Sequence, residues 1–368
     1  MTALKARIVD LIGALGPISV QEYMALCLSD PQHGYYTTRD PFGRDGDFTT
    51  APEISQMFGE LIGAWLVATW RAVGRPQTPV IAEIGPGRGT LFRDIVRTLD
   101  KLDPALRKSA RFKLVETSQK LGWAQATTLK GLGGTFDWHR DVDELPDGPL
   151  LVVANELFDA IPGRQYVKTA SGWRERCVDV TGDDELIFVA GAGGLDPSLL
   201  PADAATAVEG SVVELAPARS ALMQRIAERI ASQGGAGLFI DYGYEKPAVG
   251  DSLQALLKHA YDDPLAHPGE ADLTTHVDFA ALADTARHAG LDTHLMTQGE
   301  FLLRMGLLER AGQLGAHADE TVRERLHSEV ERIAGPDQMG ELFKVLAICR
   351  PGVDLPPFGK PSLDQPRH

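Results

Sequence analysis

Apolar positions in the first part of the chain recur at helical spacing and then give way to short unbroken runs. Leu4, Ile8, Leu11, Ile12 and Leu15 fall on one face of a helix that Gly16 and Pro17 close. Ser19 and Glu22 form a capping box for a second helix through Leu28. Residues 29–50 carry Gly, Pro, Asp and aromatic side chains without periodicity, which predicts a long lid or binding loop. Thr50 and Glu53 make another capping box. The helix it opens buries a stripe of Ile54, Met57, Phe58, Leu61, Ile62, Trp65, Leu66 and Val73.

Predominantly apolar runs follow at 80–84, 112–115, 150–154, 236–240 and 342–348, with weaker ones at 135–138 and 294–297. Such runs read as parallel strands buried on both faces, and their alternation with helical patterns predicts a doubly wound α/β sheet. Between 164 and 190 the character changes to short alternating strands with turns at Ser171-Gly172 and at 182–184, an antiparallel insertion. A Gly/Pro/Ala-rich connection at 191–207 leads to a helix over 214–233, broken by Gly234 and Gly235. The stretch 247–268 reads as a loop or broken helix. Thr275 caps a helix ending at Gly290, and a helical region spans 302–330. The expected organisation is a helical N-terminal region over 1–75 with its lid-like loop, a sheet domain over 76–350 containing an insertion at 163–235, and a flexible tail at 351–368.

With 43% hydrophobic and 24% charged residues, the chain has ample material for a globular core. A net charge of -15 argues against a nucleic-acid partner, which needs a basic footprint. No apolar run is long enough to span a bilayer, so membrane insertion is not expected. The three cysteines are far apart and form no CxxC, so neither a zinc site nor a disulfide framework is expected. His259 and His267, with Asp262 and Asp263, lack metal-ligand spacing. The absence of a secretory pattern and the cysteine usage predict a cytoplasmic enzyme.

The chemistry concentrates at 80–91, VIAEIGPGRGTL. An apolar strand ends in Glu83, then Gly85, Gly87 and Gly89 alternate before a helical pattern opens at Thr90. This geometry lets backbone pass close under a ligand at the carboxyl edge of a sheet. A dinucleotide fingerprint would need glycine where Thr90 stands, which argues against an NAD-dependent oxidoreductase, and no P-loop lysine is present. An acid followed by GxGxG resembles the first motif of Rossmann-like S-adenosylmethionine (SAM)-dependent methyltransferases. Glu116, ending the next strand, is placed where such sheets carry a ribose-binding carboxylate. Asn155, Glu156 and Asp159, in NELFDAIP after the 150–154 strand, face the same crevice.

Further stretches extend the resemblance: HGYY, GDFTTAPEISQMFGELIGAW, EIGPGRGTL, NELFDAIP, LFIDYGY, PGEADLTTHVDFAAL and MGELFKVL, in order across nearly the whole chain. With them the chain resembles the MidA family, bacterial and mitochondrial proteins that include the complex I assembly methyltransferase. The resemblance implies an α/β, Rossmann-like, seven-stranded SAM-dependent methyltransferase sheet whose last strand is antiparallel, with a helical N-terminal extension and the antiparallel insertion. It also implies SAM as cofactor and, for the mitochondrial member, symmetric dimethylation of an arginine in the 49-kDa subunit of respiratory complex I. One departure stands after DYGY, where DSLQALLKHAY replaces a GTLRAY-like segment and its arginine.

On this basis Gly85, Pro86, Gly87 and Gly89 are assigned to the cofactor loop, with Glu83 for the cofactor's ammonium, Glu116 for its ribose and Asp141 for the adenine amino group. Asn155, Glu156 and Asp159 form the expected clamp on a substrate guanidinium, because paired carboxylates grip its fork and localise its charge. Tyr36, Asp47, Thr49, Thr50 and Glu53 are secondary candidates on the lid and substrate side. A small-molecule methyltransferase and a non-catalytic, SAM-binding assembly factor share these motifs.

Overall fold

The computed structural model describes residues 2–38 and 49–359. The chain divides into two compact units, neither continuous in sequence. One comprises Thr50–Glu156, Met223–Gly243 and the chain from Leu282 onward; the other comprises the chain up to Thr49, Leu157–Leu222 and Tyr244–Ala281.

The first unit is built on seven strands: β1 (Val80–Ile84), β2 (Arg111–Val115), β3 (Phe136–His139), β4 (Leu150–Asn155), β5 (Gly235–Tyr244), β6 (Asp292–Thr297) and β7 (Phe343–Cys349). They lie in the order β6-β7-β5-β4-β1-β2-β3. β1 to β5 pair in parallel, and β7 runs antiparallel to both its neighbours, as the resemblance implied. Every residue of β1 and β4 is buried, which explains why their sequences are apolar runs rather than alternations. Register sets Ile84 beside both Val115 and Ala154. The loops after β1, β2 and β4 therefore leave from one edge, at the point where strand order reverses.

Helices α1 (Gln56–Ala72) and α2 (Thr90–Leu102) supply much of the cover. Their apolar faces join β-strand side chains in one core containing Trp65, Phe92, Phe112, Leu151, Leu238 and Val345. A Cβ on Gly63 would stand 2.7 Å from Thr98 Cβ, so the two helices touch through a position that only glycine fits.

The second unit holds a five-stranded antiparallel sheet formed by Ile18–Ser19, Arg164–Thr169, Gly172–Val180, Leu186–Gly194 and Val212–Leu215, and a small three-stranded sheet. Helices Ala3–Leu15 and Val20–Ser29 pack in its core through Leu4, Ile8, Tyr23, Met24 and Cys27, together with Val178. The Ser19–Glu22 capping box forms as expected.

Several expectations are corrected. Thr50 makes no side-chain cap; the chain is extended at Ser55, whose hydroxyl accepts from Met57 N–H at 3.2 Å and starts α1 there. Glu53 instead accepts a hydrogen bond from the Thr90 hydroxyl. The helix expected over 214–233 begins at Pro217, because Val212–Leu215 is a strand. The loop expected over 247–268 contains the strands Gln254–Leu257 and Ala260–Asp262, joined through Lys258 and His259 at φ 53° and 61°. Positive φ at both residues is the hairpin geometry that Asn-Gly usually announces, and no such signal stands here. Thr275 caps no helix; Asp278 accepts from Ala281 N–H at 2.9 Å, where the helix Phe279–His288 starts.

Among the described residues no helix is long and apolar enough to cross a membrane, and no group of side chains has the make-up of a metal site. The three cysteines are buried and unbridged.

Candidate cofactor and active site

The site is built where β1 stops. Gly85 N–H donates to Val115 O at 3.0 Å, the last rung between β1 and β2. Gly85, Gly87 and Gly89 then take φ of 66°, 52° and 80°, a left-handed path that brings bare backbone to the N-terminus of α2. Pro86 closes this turn by accepting from Gly89 N–H at 2.7 Å. Glu83, one residue before the strand end, is 2% exposed. Burial pushes its carboxyl up to about 8; Phe92 N–H opposes that rise and the nearby charge of Glu116 adds to it. Its Oε2 has no hydrogen-bond partner among the described residues. A dry acid with an open lone pair beside a bare backbone turn fits a ligand that brings a cation, as SAM does with its ammonium.

Glu116 follows β2 and is held at both oxygens. Ser118 N–H donates to Oε1 at 2.7 Å, and the side-chain amide of Gln125 donates to Oε2 at 3.0 Å. Burial pushes its carboxyl above the ordinary carboxylate value, and these hydrogen bonds counter the rise. Gln125 lies on α3 (Gln119–Thr128) and also donates to Gly87 O at 2.9 Å. Asp141, beyond β3, accepts from Asp143 N–H at 2.9 Å and pairs with Arg225 at 2.9 Å. Those contacts hold its carboxyl below the usual carboxylate range.

At the end of β4, Asn155 Nδ2 donates to Glu156 Oε1 at 3.0 Å, and Ala51 N–H reaches the same oxygen at 3.3 Å. Asn155 Oδ1 is buried without a partner among the described residues. Glu156 takes φ 49°, a strained conformation for a residue with a side chain; such strain persists where the surroundings enforce it, often at functional sites. The sheet unit thus gathers Glu83, the glycine turn, Glu116, Asn155, Glu156, Thr50 and Glu53.

Asp159, Tyr36 and Thr49 belong to the other unit. There the carbonyl of Asp159 accepts from Arg219 Nη2 at 3.0 Å and from Thr275 N–H at 3.3 Å. Tyr36 donates its hydroxyl to Asp272 at 3.0 Å. Burial raises its phenol well above the usual range, and the charges of Asp272 and Asp159 add to that rise. Thr49 is half-buried, and Asp47 lies outside the described residues. Gln125, Arg219 and Asp272 escaped the sequence reading. For Gln125 the available signal was a polar residue four positions after Leu121, on the one buried face of α3.

A strand order with β1 at its switch point, a glycine turn after β1 and an acid after β2 define the Rossmann-like class of SAM-dependent methyltransferases. Residues 61–297 match a family model described as "Putative S-adenosyl-L-methionine-dependent methyltransferase". The chain belongs to this family, whose cofactor is SAM. It is similar to mouse "Protein arginine methyltransferase NDUFAF7, mitochondrial", 37% identical over 95% of this chain and 84% of the relative. The human protein of that name is 36% identical with 95% and 83% covered. A crystal structure of a Burkholderia thailandensis protein bound to S-adenosyl-homocysteine (SAH) superposes with a TM-score of 0.83 at 29% identity, over 96% of this chain and 92% of the other. These relatives correct the cytoplasmic expectation, because they are named as mitochondrial proteins.

Proposed function

We propose that the chain transfers the methyl group of SAM to an arginine side chain of a protein. The observation that carries this reading is the pair Asn155–Glu156 at the end of β4, on the sheet edge where the glycine turn leaves β1. The names of the relatives support an arginine acceptor, and the family resemblance supports a subunit of respiratory complex I of the 49-kDa type as its carrier.

SAM supplies an activated methyl on a sulfonium, and the protein's task is alignment. Holding nucleophile and methyl in line is worth roughly 7–11 kcal/mol of barrier. In this reading Gly85, Pro86, Gly87 and Gly89 carry the methionine moiety past bare backbone. Glu83 takes its ammonium and Glu116 its ribose hydroxyls, while Asp141, through its loop, borders the adenine. Glu156, fixed by Asn155 and by Ala51 N–H, grips the substrate guanidinium. A guanidinium stays protonated at neutral pH and is a poor nucleophile, so a carboxylate must draw its charge away from the attacking nitrogen. Thr50 and Glu53, on the sheet unit, are assigned to the acceptor's approach.

The test is methyl incorporation from labelled SAM into complex I subunits, scored as methylarginine against a Gly87→Val control. Glu156→Gln is expected to bind SAH as the native protein does by calorimetry while transfer falls at least about 100-fold, within the range of lost electrostatic stabilisation. Loss of SAH binding would move Glu156 to the cofactor. Unimpaired transfer would remove it from the chemistry.

A further inference from the structure

Gln125 is the one polar side chain on α3 that is wholly buried, at 0% exposed, among the described residues. An amide without hydrogen bonds in that position costs free energy that an apolar residue of the same size avoids. Three bonds satisfy it, and each runs to a different segment. Its Nε2 donates to Gly87 O at 2.9 Å and to Glu116 Oε2 at 3.0 Å, and its Oε1 accepts from Trp138 Nε1 at 2.8 Å. The turn, the end of β2 and β3 therefore meet on one amide. Contact is close: a Cβ on Gly89 would stand 3.3 Å from Gln125 Cα.

We propose that Gln125 is a positioning residue for the nucleoside part of the cofactor, coupling the glycine turn to the carboxylate that receives the ribose hydroxyls. This rests on the reading that Glu116 binds the ribose. The two amide protons act on different targets. One fixes the carbonyl of Gly87 and with it the plane of the Gly87–Arg88 peptide, so the turn keeps one shape before the ligand arrives. The other occupies one lone pair of Oε2, while Ser118 N–H occupies one on Oε1. Glu116 then stands in a single rotamer with its remaining lone pairs directed by these bonds. Preorganisation of this kind raises affinity by removing the cost of ordering turn and carboxylate on binding.

The experiment compares SAH binding by calorimetry in the native protein, Gln125→Met, Glu116→Gln and the double variant, with folding checked by near-ultraviolet circular dichroism. Gln125→Met is expected to weaken SAH at least about tenfold, the scale of a lost hydrogen bond to a charged group. The double variant is expected to bind little worse than the weaker single variant, because both changes disable one device. An SAH analogue lacking both ribose hydroxyls should lose less affinity on Gln125→Met than SAH does, since only the contribution of the turn remains, whereas a general structural role for the glutamine would weaken both ligands equally. Should Gln125→Met fail to fold, Gln125→Leu likewise removes both donors without adding a charge beside Glu116, and the same weakening is expected.

A folded Gln125 variant that binds SAH like the native protein while Glu116→Gln loses it overturns the proposal alone. Additive losses in the cycle overturn it as well. If Glu116→Gln binds SAH normally, the ribose assignment falls and takes the proposal with it.

Discussion

Glu83, at the end of β1 beside the glycine turn, is an acid that burial pushes up to about 8, so near neutral pH it stays protonated until a cation arrives. The sign of its effect on stability follows. Its folded value lies above the ordinary 4.5, so its contribution is fully present below about 4.5 and is lost as pH rises through about 8. An ammonium beside Oε2 favours the ionised form and reverses that loss. Affinity for SAH is therefore expected to rise between pH 6 and pH 8. Binding at pH 7 is expected to release a proton, read from calorimetric enthalpies in buffers of different ionisation heat. Glu83→Gln should abolish the release; a proton release unchanged in that variant would assign it to another group, Glu116 first. At this scale the sequence showed the acids but not their environment. Glu83 and Asp141 are both aspartate-or-glutamate positions near strand ends, yet one is dry with an open oxygen and the other is paired to Arg225.

Elements were legible where their own residues decide them. β1 and β4 are apolar apart from Glu83 and Asn155 because they are enclosed on both faces, and the Ser19–Glu22 box is a local bond pattern. Elements that depend on partners were misread. The helix expected from Thr50 is interrupted: Ala51–Ile54 forms one short turn after Thr50, the chain is extended at Ser55 and α1 starts there, while Glu53 bonds Thr90 on α2 and not its own turn. The hairpin at Lys258–His259 lacks any glycine, and its strands exist through pairing with each other and with Asp272–Thr274. The contact of α1 with α2 at Gly63 has the same origin. Gly63→Val is expected to destabilise the sheet unit by about 1–3 kcal/mol, the usual cost of overpacking. Urea unfolding would read this as a lower midpoint at unchanged slope, and an unchanged midpoint would show that the helices separate freely.

For the molecule as a whole, a net charge of -15 sets the terms on which a partner approaches. A basic, arginine-bearing segment is drawn to an acidic surface by a field that salt screens within about 8–10 Å. The Michaelis constant for a basic peptide acceptor is expected to rise several-fold between about 0.05 and 0.3 M salt, with the SAH dissociation constant changing less than about twofold, since Glu83 is buried and exposed charges are screened most. Equal salt sensitivity of both constants would count against a basic acceptor. SAH should also protect the fold: at about 100 times its dissociation constant it adds about 2.7 kcal/mol to stability, visible as a higher melting temperature.

By itself the sequence determined the sheet, its glycine turn and the acids at the strand ends. Strand burial, turn conformation and capping are properties of neighbours along the chain, and the motif EIGPGRG carries its own geometry. Only the tertiary structure decided which acid stays dry, which is paired, and that a glutamine on α3 joins the turn to Glu116. Burial and hydrogen bonding between segments far apart in sequence set those properties, and no local pattern records such contacts.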